Sequence, residues 1–256
     1  MGGAERSARK RRQQSAGARA VTQARGGGAN RKVIVAVVAV VVLAAVVIGG
    51  VIWTNSSKNS TAGQTITPQT TATAQTDQGR RQGVAVVSGS DNAKVKLTIY
   101  ADFLCPYCGQ LQSNFGTQLE QGIQAGTVQV TYHMIPLLNE RSDPPGYSLA
   151  SANAALCAAD QGKFTAYHDS LFKSQPEEGQ RGYDNSQLIK LGTDLGITSP
   201  DFATCVNNGT YNAQINADFQ KIEADPSFQG TPDVLHNGQA VNWTDPNWLN
   251  NLLNAA

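Results

Sequence analysis

Residues 95–108 read VKLTIYADFLCPYC. The first six alternate apolar and polar side chains and are rich in β-formers, which predicts a strand. The following stretch, residues 110–121, has helical spacing, so Cys105-Pro106-Tyr107-Cys108 falls between a strand and the start of a helix. That context gives the two cysteines their meaning. A helix N-terminus presents unpaired N–H groups and the positive end of the helix dipole, and both stabilise a thiolate. The first cysteine can then attack a disulfide while the second resolves the mixed disulfide. Pro106 is tolerated there because the first helical turn has no amide partner to lose. The competing readings are a structural disulfide or half of a zinc site. A zinc site needs a second close Cys/His pair. Here Cys157 and Cys205 are single and His133, His168 and His236 are scattered, so no metal and no cofactor is expected.

Outward from this motif, TVQVTYHMI at 127–135 reads as a second strand, completing a βαβ unit. Five helix-like segments follow, at 147–159, 165–174, 185–195, 199–206 and 212–224, with Gly and Pro between them. Short β-rich runs at 233–235 and 240–241 flank His236-Asn237-Gly238-Gln239, whose Asn-Gly pair signals a hairpin. Thr244 or Asp245 can cap a terminal helix reaching Leu253. The fold class is therefore α/β.

The N-terminal part is of another kind. Nine Lys/Arg and one Glu lie in residues 1–32, while the remainder carries 11 basic and 18 acidic residues, a net −7. That balance excludes a uniformly basic nucleic-acid binder. Residues 33–52 are twenty in a row without a polar side chain. As a helix they span roughly 30 Å, the hydrocarbon thickness of a bilayer. The expectation is one transmembrane signal anchor over 33–53, with the basic tail cytoplasmic and Trp53 at the interface. A cleaved signal peptide is the rival, but the run is longer than usual and lacks a small-x-small site. Of residues 54–79, seventeen are Ser, Thr, Asn or Gln, and Ile66 is the one large aliphatic side chain. The segment 54–82 is expected to be a flexible linker that buries too little apolar surface to order itself. Residues 83–256 form the globular domain.

Asp102-Phe103-Leu104-Cys105-Pro106-Tyr107-Cys108 resembles the active-site motif of DsbA-like thioredoxin-fold oxidoreductases. Gly230-Thr231-Pro232-Asp233-Val234 followed by Asn237-Gly238 resembles that family's second motif, and residues 164–172 a recurrent helix of its inserted domain. The resemblance covers roughly residues 84–256. It implies a thioredoxin fold with an inserted helical domain at about 140–225, preceded here by the one transmembrane helix. It implies Cys105 as nucleophile, Cys108 as resolving thiol, and Thr231-Pro232, with a cis peptide bond, as the loop that orients bound peptide. Pro106, Tyr107 and Asp102 would support the site. Asp102 is read as a solvated strand-end carboxylate in preference to a buried proton-transfer acid, and His168 as structural.

The activity so implied is an extracytoplasmic dithiol oxidase acting on exported cysteine-containing polypeptides, with a quinone-linked membrane oxidase of the DsbB or vitamin K epoxide reductase type for recycling. A disulfide isomerase, a reductase and a redox-inactive membrane-anchored binding or chaperone module are the alternatives. The isomerases resemble dimers built on a folded N-terminal module. An anchor and a tether occupy that position here, which favours a monomeric oxidase. In an oxidising compartment two unpaired thiols are a liability, so Cys157 and Cys205 are expected to form a structural disulfide within the insert. Two separate buried thiols are the alternative.

Overall fold

The computed structural model describes residues 61–71 and 79–255. The basic tail and the anchor expected over 33–53 lie outside the described residues. Among the described residues no helix is long and apolar enough to cross a membrane.

Six strands form one mixed sheet: β1 (Arg80–Gln82), β2 (Ala85–Gly89), β3 (Val95–Ala101), β4 (Val128–Met134), β5 (Asp233–His236) and β6 (Gln239–Ala240), in the order β1-β2-β4-β3-β5-β6. Helix α1 (Pro106–Gln124) joins β3 to the parallel β4, the expected βαβ unit. The hairpin β1–β2 is an addition to the elements expected from the sequence. Gly83, at φ +64°, makes its turn, and the apolar run at 84–87 was the available signal. Five helices intervene between β4 and β5: α2 (Tyr147–Asp160), α3 (Phe164–Lys173), α4 (Asn185–Asp194), α5 (Pro200–Asn208) and α6 (Asn212–Glu223). Helix α7 (Trp248–Ala255) closes the chain, with Trp248 edge-on to Phe115 of α1 at 5.6 Å.

Burial explains the layering. Val95, Leu97, Ile99 and Ala101 of β3 alternate inward, as do Val128, Val130, Tyr132 and Met134 of β4. Tyr132 meets Phe164 and His168 of α3 at 5.6 and 4.8 Å. On the opposite face His133 pairs with Asp218 of α6 at 2.9 Å. Helix α2 is buried almost all round, as its Ala-rich composition requires. Its Asn153 accepts from the Tyr211 backbone N–H at 2.9 Å. Cys157 of α2 and Cys205 of α5 form a disulfide, 48 residues apart in sequence.

The segment expected as a flexible tether is docked over residues 61–71. Ile66 is 2% exposed and belongs to the hydrophobic core. The Thr61 hydroxyl donates to the Gly182 carbonyl at 2.9 Å, and the Gln187 amide donates to the carbonyls of Thr61 and Gln64, both at 2.7 Å. The backbone N–H groups of Thr67 and Gln69 donate to the hydroxyls of Ser174 and Ser170 at 3.1 and 2.8 Å. Composition measures the segment's own apolar content. It misses what a preformed partner surface offers to one isoleucine and a row of backbone groups.

Candidate active site

Strand β3 ends at Ala101 and the chain turns through Asp102–Cys105 into α1, with the Cys105 N–H donating to the Asp102 carbonyl at 3.0 Å. Cys105 is the N-cap of α1 and Pro106 opens its first turn. From 126 residues away, the Thr231 carbonyl accepts from the Cys105 thiol at 3.3 Å, and the Thr231–Pro232 peptide bond is cis. The two motifs singled out in the sequence thus meet at one point.

Both cysteines are free thiols and both are buried, at 4% exposure for Cys105 and 2% for Cys108; they differ in that Cys105 borders the groove, and in charge. Cys105 borders a groove of about 1260 Å³, which is also lined by Tyr107, Leu138, Thr231, Pro232 and Trp243. Cys108, one turn into α1, lies behind it at 2% exposure. The Cys108 thiol hydrogen-bonds Cys105 and is the main reason its pKa falls to about 6, against the opposing effect of burial. Thr231 and the N–H groups of Cys108 and Tyr107 lower it further. Burial, together with this same hydrogen bond to Cys105, pushes Cys108 well above its ordinary value. Near neutral pH the pair is one thiolate at the groove and one thiol behind it.

Asp102 corrects an expectation. It is not a solvated strand-end carboxylate: it is 1% exposed, and its two oxygens accept from the N–H groups of Leu104 and Leu138 at 2.8 and 2.7 Å. Burial raises its pKa to about 6 despite those two hydrogen bonds. The sequence reads a strand-end position but not the loop at 137–138 that covers it. Tyr107 projects into solvent at 59% exposure on the rim of the groove. His168 is buried among Phe103, Tyr132, Phe164 and Phe172, away from the groove lining.

Sequence reasoning missed Gln175. It follows α3 in the insert, and its amide donates to the carbonyls of Phe103 and Cys105, both at 2.9 Å. A lone glutamine after a helix carries no motif, so the signal lies in tertiary structure alone. Among the described residues no group of three or more Cys, His, Asp or Glu is placed to hold a metal.

Comparison with known proteins agrees with the fold. Reduced DsbA from Mycobacterium tuberculosis superposes with a TM-score of 0.59 at 27% identity, over 68% of this chain and 92% of that one. Probable disulfide bond formation protein D of Bacillus anthracis is 25% identical over 157 residues, 60% of this chain and 70% of its own length. Serine/threonine-protein kinase PknE of Mycobacterium tuberculosis is 27% identical over 177 residues, 66% of this chain. The match spans only 31% of that kinase's length. Residues 81–255 match the family model described as Thioredoxin. The chain belongs to the thioredoxin family, as a DsbA-like member carrying a helical insertion.

Proposed function

We propose that this protein is a thiol-disulfide oxidoreductase working as a dithiol oxidase on exported polypeptides. The observation that carries the reading is the asymmetry of the pair: Cys105 at the groove with its pKa lowered to about 6, and Cys108 buried with its pKa raised. In the oxidised enzyme a substrate thiolate attacks the Cys105 sulfur. One S–S bond forms, the Cys105–Cys108 bond breaks, and Cys108 leaves and takes up a proton. A second substrate thiolate then attacks the substrate sulfur of the mixed disulfide and expels Cys105 as thiolate. The substrate loses two electrons and becomes the disulfide, and the enzyme gains them as a dithiol. A stabilised Cys105 thiolate is the better leaving group and lowers the energy of the reduced form, so the exchange runs towards substrate oxidation. Thr231 and Pro232 line the groove beside Cys105, where an extended peptide would present its cysteine.

The compartment is part of the same proposal. The basic tail and the apolar run at 33–52 support a single anchor with its N-terminus inside and the catalytic domain outside. A quinone-linked membrane oxidase of the DsbB or vitamin K epoxide reductase type would take the two electrons and restore the disulfide. The oxidised enzyme mixed with a reduced, unfolded two-cysteine substrate should transfer its disulfide stoichiometrically, and its potential against glutathione should be oxidising. A potential as low as that of thioredoxin, about −270 mV, would assign it to reduction. Efficient unscrambling of mispaired substrates without net oxidation would assign it to isomerisation. Protease added to spheroplasts should digest the domain, and protection until lysis would overturn the topology.

A further inference from the structure

The turn that delivers the nucleophile is held from outside its own motif. Its backbone partners are Asp102 for the N–H groups of Leu104 and Cys105, the Gly109 N–H for the Cys105 carbonyl, and Gln175 for the carbonyls of Phe103 and Cys105. Pro106 has no N–H, so the peptide linking it to Cys105 has its carbonyl as the one polar handle. Gln175 holds that handle from the insert. We propose that Gln175 is a positioning residue for the Cys105 nucleophile, fixing the 103–105 turn so that Sγ stays beside the helix N-terminus and Thr231.

Three observations converge on this. The amide grips two carbonyls at once, spaced two residues apart, and so fixes the orientation of the turn as well as its distance. The opposite side of the same side chain lies against Gly109, where a Cβ would stand 2.3 Å from the Gln175 Oε1. The helix carries a glycine where the clamp needs its space. Gln175 is itself braced, because the preceding Ser174 accepts from the docked Thr67 N–H and the neighbouring Phe172 packs on Phe103 at 5.0 Å. The N-terminal segment, the insert and the nucleophile's turn are therefore one connected unit.

This inference rests on Cys105 being the reactive thiol, and its test needs neither substrate nor partner, so failure of the oxidase assay leaves it standing. The experiment measures the rate of Cys105 alkylation against pH in the full chain, on a Cys108→Ser background, with folding followed by circular dichroism. Gln175→Ala removes the donor. Gln175→Glu keeps the shape but places an anionic acceptor against two carbonyls. Gly109→Ala displaces the glutamine while favouring the helix, since Ala is the better helix former. Each should raise the alkylation midpoint by about half a unit or more, because a looser turn no longer holds Sγ against its N–H donors. Gly109→Ala added to Gln175→Ala should shift it no further, since the clamp is already gone. Should Gln175→Ala fail to fold, Gln175→Glu and Gly109→Ala decide. Folded variants whose midpoints match the parent overturn the proposal, even where thermal stability falls.

Discussion

The thiol of Cys105 and the carbonyl of Thr231 are hydrogen-bonded at 3.3 Å across 126 residues of chain. This contact joins the end of β3 to the loop before β5, two antiparallel neighbours in the sheet, with the whole helical insert looped out between them. The sheet supplies the precision: Tyr100 pairs with Asp233, so the nucleophile's turn and the cis-proline loop leave the same end of adjacent strands. Backbone pairing thereby brings the Cys105 turn and the cis-proline loop together, and the Gln175 amide holds that turn from the insert.

Trapping should separate the two cysteines. Cys108→Ser leaves the groove thiol and removes the resolver, so mixed disulfides with substrate should accumulate on Cys105. Cys105→Ser leaves only a thiol at 2% exposure with a raised pKa, and should trap at background level. Non-reducing gels of both variants with a thiol substrate check this. Adducts confined to Cys105→Ser would reverse the roles.

Redox state should couple to stability through pH. The Cys105 pKa is about 6 when folded, below its ordinary value near 9, so its thiolate contributes stability above pH 9 that is lost as pH falls through 6. The oxidised form has no such group. Denaturant midpoints should therefore show the reduced form gaining on the oxidised one between pH 6 and 9. The gain is at most about 1.4 kcal/mol per pH unit, reduced by the water of the groove. A constant difference across that window would contradict the lowered pKa.

Asp102 works in the other direction. Its folded pKa of about 6 lies above its ordinary value of 3.8, so stability present below pH 4 is lost as pH rises through 6. The loss is on the order of 3 kcal/mol. Measured on the oxidised form, Asp102→Asn should flatten the stability curve between pH 4 and 7. It should also lower stability at pH 4, because one amide oxygen cannot serve both the Leu104 and Leu138 N–H groups. An unchanged slope would show that the carboxyl titrates normally.

The Cys157–Cys205 bond closes a loop of 48 residues inside the insert, and neither cysteine lines the groove. Replacing both with Ala should cost roughly 3–4 kcal/mol of unfolding free energy on the chain-entropy estimate, while Cys105 keeps its alkylation profile. Mild thiol treatment followed by peptide mapping should open Cys105–Cys108 first and leave this bond intact. Free Cys157 and Cys205 in the untreated, denatured protein would contradict it.

The docked segment should matter energetically. Ile66 is 2% exposed, so Ile66→Ala should destabilise the domain by about 2–4 kcal/mol, whereas Thr65→Ala, at an exposed position, should change it by less than about 0.5 kcal/mol. Thermal unfolding of the two variants checks this. A null effect of Ile66→Ala would return the segment to the status of a tether.

The amino-acid sequence by itself determined the βαβ core, the five helices between the two motifs and the place of the Cys105–Cys108 pair at the start of a helix. Those features are written in local periodicity, in Gly and Pro punctuation, and in a cysteine pair at a strand-to-helix junction. Tertiary structure alone decided the rest. Asp102 is buried because residues from another loop cover it, and its two oxygens are satisfied by N–H groups 2 and 36 residues away. The segment around the buried Ile66 is docked because α3 and α4 offer partners to its backbone at Gln69 and Thr61, which no count of the segment's own residues can reveal. Gln175 reaches the carbonyls of Phe103 and Cys105 across 72 and 70 residues. Local pattern records what a segment can form alone. Burial, carbonyl clamps and pKa values depend on which distant groups share the same few ångströms, and those are set only when the chain closes on itself.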